Sequence, residues 1–300
     1  MDRQEPRRVL VAGSTGYLGK FAVRAFKQRG YWVRALTRSE SRLRERGPFT
    51  APAITEGDVD DVFVGEVTQP ETLVGALEGI DCVFSSVGIS RQRDNLTFEQ
   101  VDYQANRNLI DLCAGSTVKK FVYVSMLGED QIADLAITRA HERVVSDLAE
   151  SGIDHTIVRP SGYFSDMGAV LGMAKRGFVL IVGSGENRFN PIHGRDLAEA
   201  CVDAMGSEGR LLEAGGPEVL TQRDVAILAF DMVGKPVRLW TVPLWLARGL
   251  TRGIGMLNTQ FGDLAEFIVT AGEVDAVAPP VGTTALRGYF ERLLAGDPDA

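Results

Sequence analysis

Six short apolar runs, at residues 9–12, 31–37, 61–67, 80–88, 120–125 and 155–160, alternate with stretches whose apolar residues recur at helical spacing. The runs are nearly continuous, so each asks to be covered on both faces, as parallel strands between two layers of helices are. Crossovers between parallel strands are right-handed, and the rhythm predicts an α/β fold with a doubly wound parallel sheet. Residues 47–61, rich in Gly, Pro and acids, read as a surface loop. Beyond Pro160 the rhythm changes. Helix is expected at 165–176, strand at 178–181 and a turn at 183–185. A helix at 196–205 and a strand-like stretch at 211–214 return to the main sheet, and from 221 onward the pattern is mostly helical. The expected division is residues 1–160 plus about 191–215 for the sheet domain. The smaller, mostly helical C-terminal lobe on the substrate side takes about 161–190 and 216–300.

Ligands of such sheets bind outside the carboxyl ends of the strands. The first strand end is the most informative: Gly13-Ser14-Thr15-Gly16-Tyr17-Leu18-Gly19 leads into a helical pattern through Phe21, Ala22, Ala25 and Phe26. Gly13 suits a turn that a side chain would forbid. Gly16 leaves room for a diphosphate, and Gly19 lets the helix pack on the strand. The helix N-terminus supplies free N–H groups and partial positive charge. This is the signature of a Rossmann-type dinucleotide-binding domain. At the second strand end a site for NAD usually carries an acid, whereas Thr37-Arg38-Ser39 offers a guanidinium fork and two hydroxyls that suit a 2′-phosphate, hence NADP(H). Arg34 and Arg42 are the next candidates for that role. Strand-end positions Glu66, Val67, Ser86, Val87 and Gly88, then Ser125, Pro160 and Ser161, complete the expected cleft.

Composition excludes other classes. A net charge of −8 argues against a nucleic-acid partner. The first eight residues lack an apolar h-region, and no uncharged run approaches the roughly 20 residues of an integral membrane segment. Cys82, Cys113 and Cys201 are widely spaced in apolar patterns; they read as reduced, buried thiols of a cytoplasmic protein and not as a metal site.

Together these motifs resemble the atypical short-chain dehydrogenase/reductase superfamily, in particular its NmrA-like, extended-type NADP-binding members. The resemblance rests on Gly13-x-x-Gly16-x-x-Gly19, Val64-Gly65-Glu66-Val67, the strands around Asp81, Phe121 and Ile157, and the segment Asn190-Pro191-Ile192-His193-Gly194-Arg195-Asp196-Leu197-Ala198. It covers roughly residues 8–215 and implies fold and cofactor more narrowly than reaction. The family's strand end carries an Asp that reaches the adenine, and Glu66 stands there. Active members commonly carry Tyr-x-x-x-Lys. Counted back from Ser151-Gly152, those positions fall on Ile137 and His141, with Arg139 two residues away. Ser125 stands where the family has its strand-end Ser.

The candidate catalytic residues are therefore His141, Ser125 and Tyr163. His141 shares a helical stripe with Ile137, Val144 and Leu148; it is either a core histidine or an imidazole over the cofactor's ribose and nicotinamide. Ser125 is a ligand contact or a cap. Tyr163 is a fallback proton donor or aromatic packing, and Phe164, Met167 and Met173 suggest an apolar substrate wall. His193 suits a structural or lobe-docking role and His155 packing. Trp240, Trp245, Leu244, Leu246, Leu250 and Ile254, with Arg248 and Arg252, form an apolar patch. It is read as lobe core or the subunit interface of a homodimer, with a membrane-surface helix as the third option. The expected activity is NADPH-dependent hydride transfer to a polarised C=O or C=C of a small, largely apolar substrate. The alternative is a non-catalytic NADP(H) sensor or assembly factor. An epimerase or dehydratase is weakened by the missing Tyr.

Overall fold

The computed structural model describes residues 7–47, 50–89 and 96–297. The chain begins β1 (Arg8–Ala12), α1 (Tyr17–Gln28), β2 (Trp32–Thr37), α2 (Glu40–Arg44), β3 (Asp61–Val64) and β4 (Cys82–Ser85). A π-helical stretch, Glu99–Gln104, runs directly into α3 (Ala105–Cys113). Next come β5 (Lys120–Val124), α4 (Ala136–Glu150), β6 (Asp154–Pro160), α5 (Phe164–Arg176), β7 (Val179–Val182), β8 (Arg188–Phe189), α6 (Gly194–Gly206) and β9 (Leu211–Ala214). The C-terminal part holds β10 (Leu220–Thr221), α7 (Gln222–Val233), β11 (Leu239–Val242), α8 (Leu244–Leu257), α9 (Thr259–Ala271) and α10 (Leu286–Ala295).

Seven strands form one parallel sheet in the order β3-β2-β1-β4-β5-β6-β9, which is the doubly wound arrangement expected of a Rossmann-type fold. Strand order reverses between β1 and β4, and the crevice opens there. The two faces are separate apolar layers. Val9, Val11, Phe84, Val122 and Val158 pack under α1 and α6, while Leu10, Val83, Phe121, Tyr123 and Ile157 pack under α3 and α4. That explains the unbroken apolar runs. The third apolar cluster joins α5, β7, α7 and α10 through Phe164, Ile181, Phe230 and Tyr289.

Residues 50–60 are not simply a surface loop. Ala51, Ile54 and Val59 are buried against the α1 face, and Lys20 of α1 is fully buried beside them. The Lys20 Nζ donates to the carbonyls of Arg42 (2.9 Å), Leu43 (2.6 Å) and Glu45 (2.6 Å), closing the C-terminus of α2. Trp240, Trp245, Leu246, Leu250 and Ile254 are exposed, so the patch they form is not lobe core.

Candidate functional site: a dinucleotide cradle at the strand crossover

The β1–α1 turn is built by its glycines. Gly13 has φ +80°, and a Cβ there would lie 2.9 Å from the Ser86 carbonyl oxygen. A Cβ on Gly19 would lie 2.0 Å from the Gly13 carbonyl oxygen, so only glycine lets α1 sit this close to the strand end. Gly16 is exposed, with its N–H turned back to the Gly13 carbonyl at 2.9 Å. The first turn of α1 has neither a capping side chain nor an acidic residue, which leaves its N–H groups and positive dipole end available to an anion.

The side chains around this turn hold the cradle's shape. Ser14 donates its hydroxyl to the Leu36 carbonyl at 2.7 Å, tying the turn to β2. The Tyr17 hydroxyl accepts from Gly194 N–H at 3.0 Å and its ring meets Tyr163 edge-on, so Tyr17 fixes α6. Leu18 is buried and Thr15 half-buried. The hydroxyls at the β2 end are also committed. Thr37 donates to the Ser39 carbonyl at 2.9 Å and accepts from Ser39 N–H at 3.0 Å, while Ser39 and Ser41 share a hydroxyl bond at 2.9 Å. Arg38, 43% exposed, pairs across the strand tips with Glu66 at 3.4 Å. Arg34 lies elsewhere: its guanidinium is locked to Asp61 (2.6 Å) and the Ala76 carbonyl (2.9 Å) and cannot serve a 2′-phosphate.

The far wall depends on a residue that sequence reading missed. The π-helical turn pushes Asp102, 1% exposed, beneath the strand end of β4, where its carboxylate accepts from Ile89 N–H at 3.1 and 3.2 Å. Asn106 braces the same end, accepting from Ser85 at 2.6 Å and donating to the Val87 carbonyl at 3.1 Å. Ser86 N–H bonds Ala12, Asn108 donates to the Val67 carbonyl, and Gly88 is left exposed. Only the i, i+4 offset between Asp102 and Asn106 hinted at this.

His141 is buried on α4, with Nδ1 2.8 Å from the Tyr123 hydroxyl and Nε2 3.2 Å from Asp102 Oδ1. An ionised carboxylate only accepts, so Nε2 carries hydrogen and Nδ1 accepts the tyrosine proton; this tautomer follows from the bonding pattern. Burial, then the nearby Asp102, push the Tyr123 phenol well above its ordinary value. Both ring nitrogens thus have protein partners.

Ser125 stands just past β5 with its backbone N–H on Val158 at 2.8 Å and, among the described residues, no partner for its buried hydroxyl. An orphaned hydroxyl at a strand's carboxyl end suits a ligand contact. Ile137 lies nearby in sequence terms on α4, clustered with Phe98, Ile132 and Leu135, and half-buried Ile89, Met126, Leu264 and Phe267 pack on this group. Phe164, Met167 and Met173 instead join the third apolar cluster, so they are not the cleft wall. Ser161 spends its hydroxyl on the Asn190 carbonyl at 2.5 Å; Pro160 ends β6 opposite Ala214 of β9, and Tyr163 bridges to Ile192, with its phenol raised by burial. His193 caps α6 and packs on Phe21, Phe164 and Tyr289, bridging the first and third clusters; His155 holds the Ile153 carbonyl.

Glycine cradle, open helix end and strand crossover define a dinucleotide-binding α/β protein. The chain belongs to the NAD(P)H-binding family, whose model matches residues 13–208, within the atypical, NmrA-like short-chain dehydrogenase/reductases. It is 28% identical to divinyl chlorophyllide a 8-vinyl-reductase of Oryza sativa subsp. indica, over 95% of this chain and 78% of that one. It is 24% identical to photosystem II assembly factor Ycf39 of Trieres chinensis, over 83% and 76%. The NADPH-dependent quinone oxidoreductase QOR2 of Escherichia coli, solved with NADPH, superposes with a TM-score of 0.72 at 20% identity, covering 95% of this chain and 99% of that one.

Proposed function

We propose that the protein is an NADPH-dependent oxidoreductase that reduces a polarised C=O or C=C of a small, largely apolar organic molecule. The observation that carries this reading is the pairing of an open glycine cradle with an orphaned buried hydroxyl, Ser125, at the next strand end but one. Gly13, Thr15, Gly16 and the α1 N–H groups would hold the diphosphate, and Arg38 the 2′-phosphate. The bound nicotinamide supplies hydride. Ser125 donates a hydrogen bond to the substrate's electron-withdrawing oxygen. Ile137, Met126, Leu264 and Phe267 exclude water and provide the apolar wall. His141, bonded to Tyr123 and Asp102, holds the floor under Gly88. Tyr163, kept protonated by burial, is a second donor. Mixing protein and NADPH with conjugated enones, quinones and ketones should cost nicotinamide absorbance with at least one class. Ser125→Ala should slow it about 10²-fold, the scale of one lost donor to a developing charge. No loss with any acceptor would count against the reading.

A second reading, a non-catalytic NADP(H) sensor or assembly factor, is favoured by one observation: both His141 nitrogens are taken by protein partners. In that case NADPH binds and alters affinity for a partner while nothing turns over.

A further inference from the structure

We propose that Lys20 is a positioning residue for the cofactor's 2′-phosphate: its side chain struts the first turn of α1 against the C-terminus of α2 and so holds the 38–45 segment in place. This deepens the proposed function and rests on its placing of the 2′-phosphate at the β2 tip. The segment has little else to hold it. α2 is five residues long, its N-cap Ser39 makes no side-chain cap bond, and Leu43 is its one buried side chain. A helix this short is not stable alone, and its last carbonyls need partners. Ile54 N–H reaches the Leu43 carbonyl at 3.2 Å, and Lys20 Nζ reaches those of Arg42, Leu43 and Glu45 at 2.9, 2.6 and 2.6 Å. All three ammonium hydrogens are thereby spent. The stem is enclosed as well: a Cβ on Gly47 would lie 2.8 Å from Lys20 Cδ. Burying a lysine completely is costly unless each of its hydrogens is bonded, and here the bonds all converge on one helix end.

The position of Lys20 makes this more than a fold contact. It follows Gly19 directly, and its N–H closes the first turn of α1 on the Gly16 carbonyl at 3.2 Å. That turn is the one left open to the diphosphate. α2 follows Arg38 and Ser39 directly and carries exposed Arg42. One side chain thus joins the turn for the diphosphate to the segment for the 2′-phosphate. Freeing the α2 end lowers the fraction of molecules with residues 38–42 in place, and NADPH affinity falls by that fraction. NADH carries no 2′-phosphate, so the same loosening leaves it the intact glycine turn.

The test titrates wild type, Lys20→Met and Arg38→Ala with NADPH and with NADH by nicotinamide fluorescence, with a thermal transition for each protein. Lys20→Met should bind NADPH about five- to tenfold more weakly and NADH within about twofold of wild type. Unchanged NADPH binding overturns the inference, and so do equal losses for both cofactors, which mean a general loss of fold. If Lys20→Met does not fold, wild type decides through pH. Burial lowers Lys20 to about 8, and the charged groups around it are Arg24 on α1 and Arg42 and Glu45 at the α2 end, with Asp58 3.5 Å from Arg24. Carboxylates and guanidinia do not titrate between about pH 7 and about pH 9.5, so the preference for NADPH over NADH should fall about threefold or more across that range as the amine loses one of its three donors. A flat preference overturns the inference. Selective loss in Arg38→Ala without one in Lys20→Met overturns it alone. Selective loss in Lys20→Met without one in Arg38→Ala upholds it and moves the phosphate to Arg42. No preference for NADPH in wild type removes the 2′-phosphate site and the inference with it.

Discussion

Replacing Arg38 by alanine should separate the two nicotinamide cofactors. The guanidinium is 43% exposed and lies 3.4 Å from the Glu66 carboxylate, at the junction of the β2 and β3 tips. A hydrogen bond to a charged group contributes about 1.5–3 kcal/mol, so NADPH affinity should fall about 10- to 150-fold. NADH lacks the 2′-phosphate and should lose no more than about twofold, close to the neutrality of most surface changes. Glu66 is the counterpart. Its carboxylate shares the guanidinium and would repel a phosphate placed there, so Glu66→Gln should tighten NADPH by up to about 1 kcal/mol, the scale of a partly exposed pair. NADH should not gain. Fluorescence titrations of both cofactors at low and moderate salt measure all four quantities, and the salt dependence should shrink in the Arg38 variant. Equal losses for NADPH and NADH would refute the assignment and move the 2′-phosphate toward Arg42, since Arg34 is held by Asp61 and the Ala76 carbonyl.

Further outcomes follow from the same contacts. Gly19→Ala places a carbon 2.0 Å from a backbone oxygen that cannot yield; it should cost about 1–3 kcal/mol in denaturant unfolding and weaken both cofactors alike. His141→Phe strands the Tyr123 hydroxyl and removes one partner of Asp102, costing about 1–3 kcal/mol for each buried group left short, while NADPH binding is largely kept. Lys20 gives a pH signature. Burial lowers its ammonium to about 8 against 10.5 in the unfolded chain, so between those values unfolding takes up a proton and stability rises with pH. Buried thiols such as Cys113, pushed up to about 12, act in the opposite direction, so the readout is the difference between wild type and Lys20→Met. That difference should grow in favour of wild type from about pH 8 upward, and a flat difference would exclude an uncharged lysine in the fold.

Much of this was legible in the sequence because it is local. An apolar run covered on both faces and a glycine turn between strand and helix are properties of consecutive residues, and they located β1 to β6 and the turn that joins β1 to α1. What escaped depends on distant approach. Asp102 meets His141 from 39 positions away and Ile89 from 13, and the π-helical turn that brings it there has the same apolar spacing as ordinary helix. Nothing local marks Lys20 as buried, because its three carbonyl partners lie 22 to 25 residues on. Two-residue strands such as β8 and β10 carry too little pattern to be seen. The α8 face misled for the opposite reason: apolar periodicity marks one face of a helix but not which side is wet. The hydroxyls of Ser14, Thr37 and Ser161 stand at expected ligand positions in sequence, yet each is spent on a carbonyl within the protein.

The most direct test of hydride transfer is a single turnover with NADPH dideuterated at C4 and a conjugated enone, in which the transferred deuterium stays on carbon, followed by mass analysis of the product. Transfer places one deuterium in the reduced acceptor, at a rate that falls in Ser125→Ala. Full retention of the label in the nicotinamide, with NADPH bound and every acceptor class unreacted, would contradict the oxidoreductase reading and leave the cradle as a sensor.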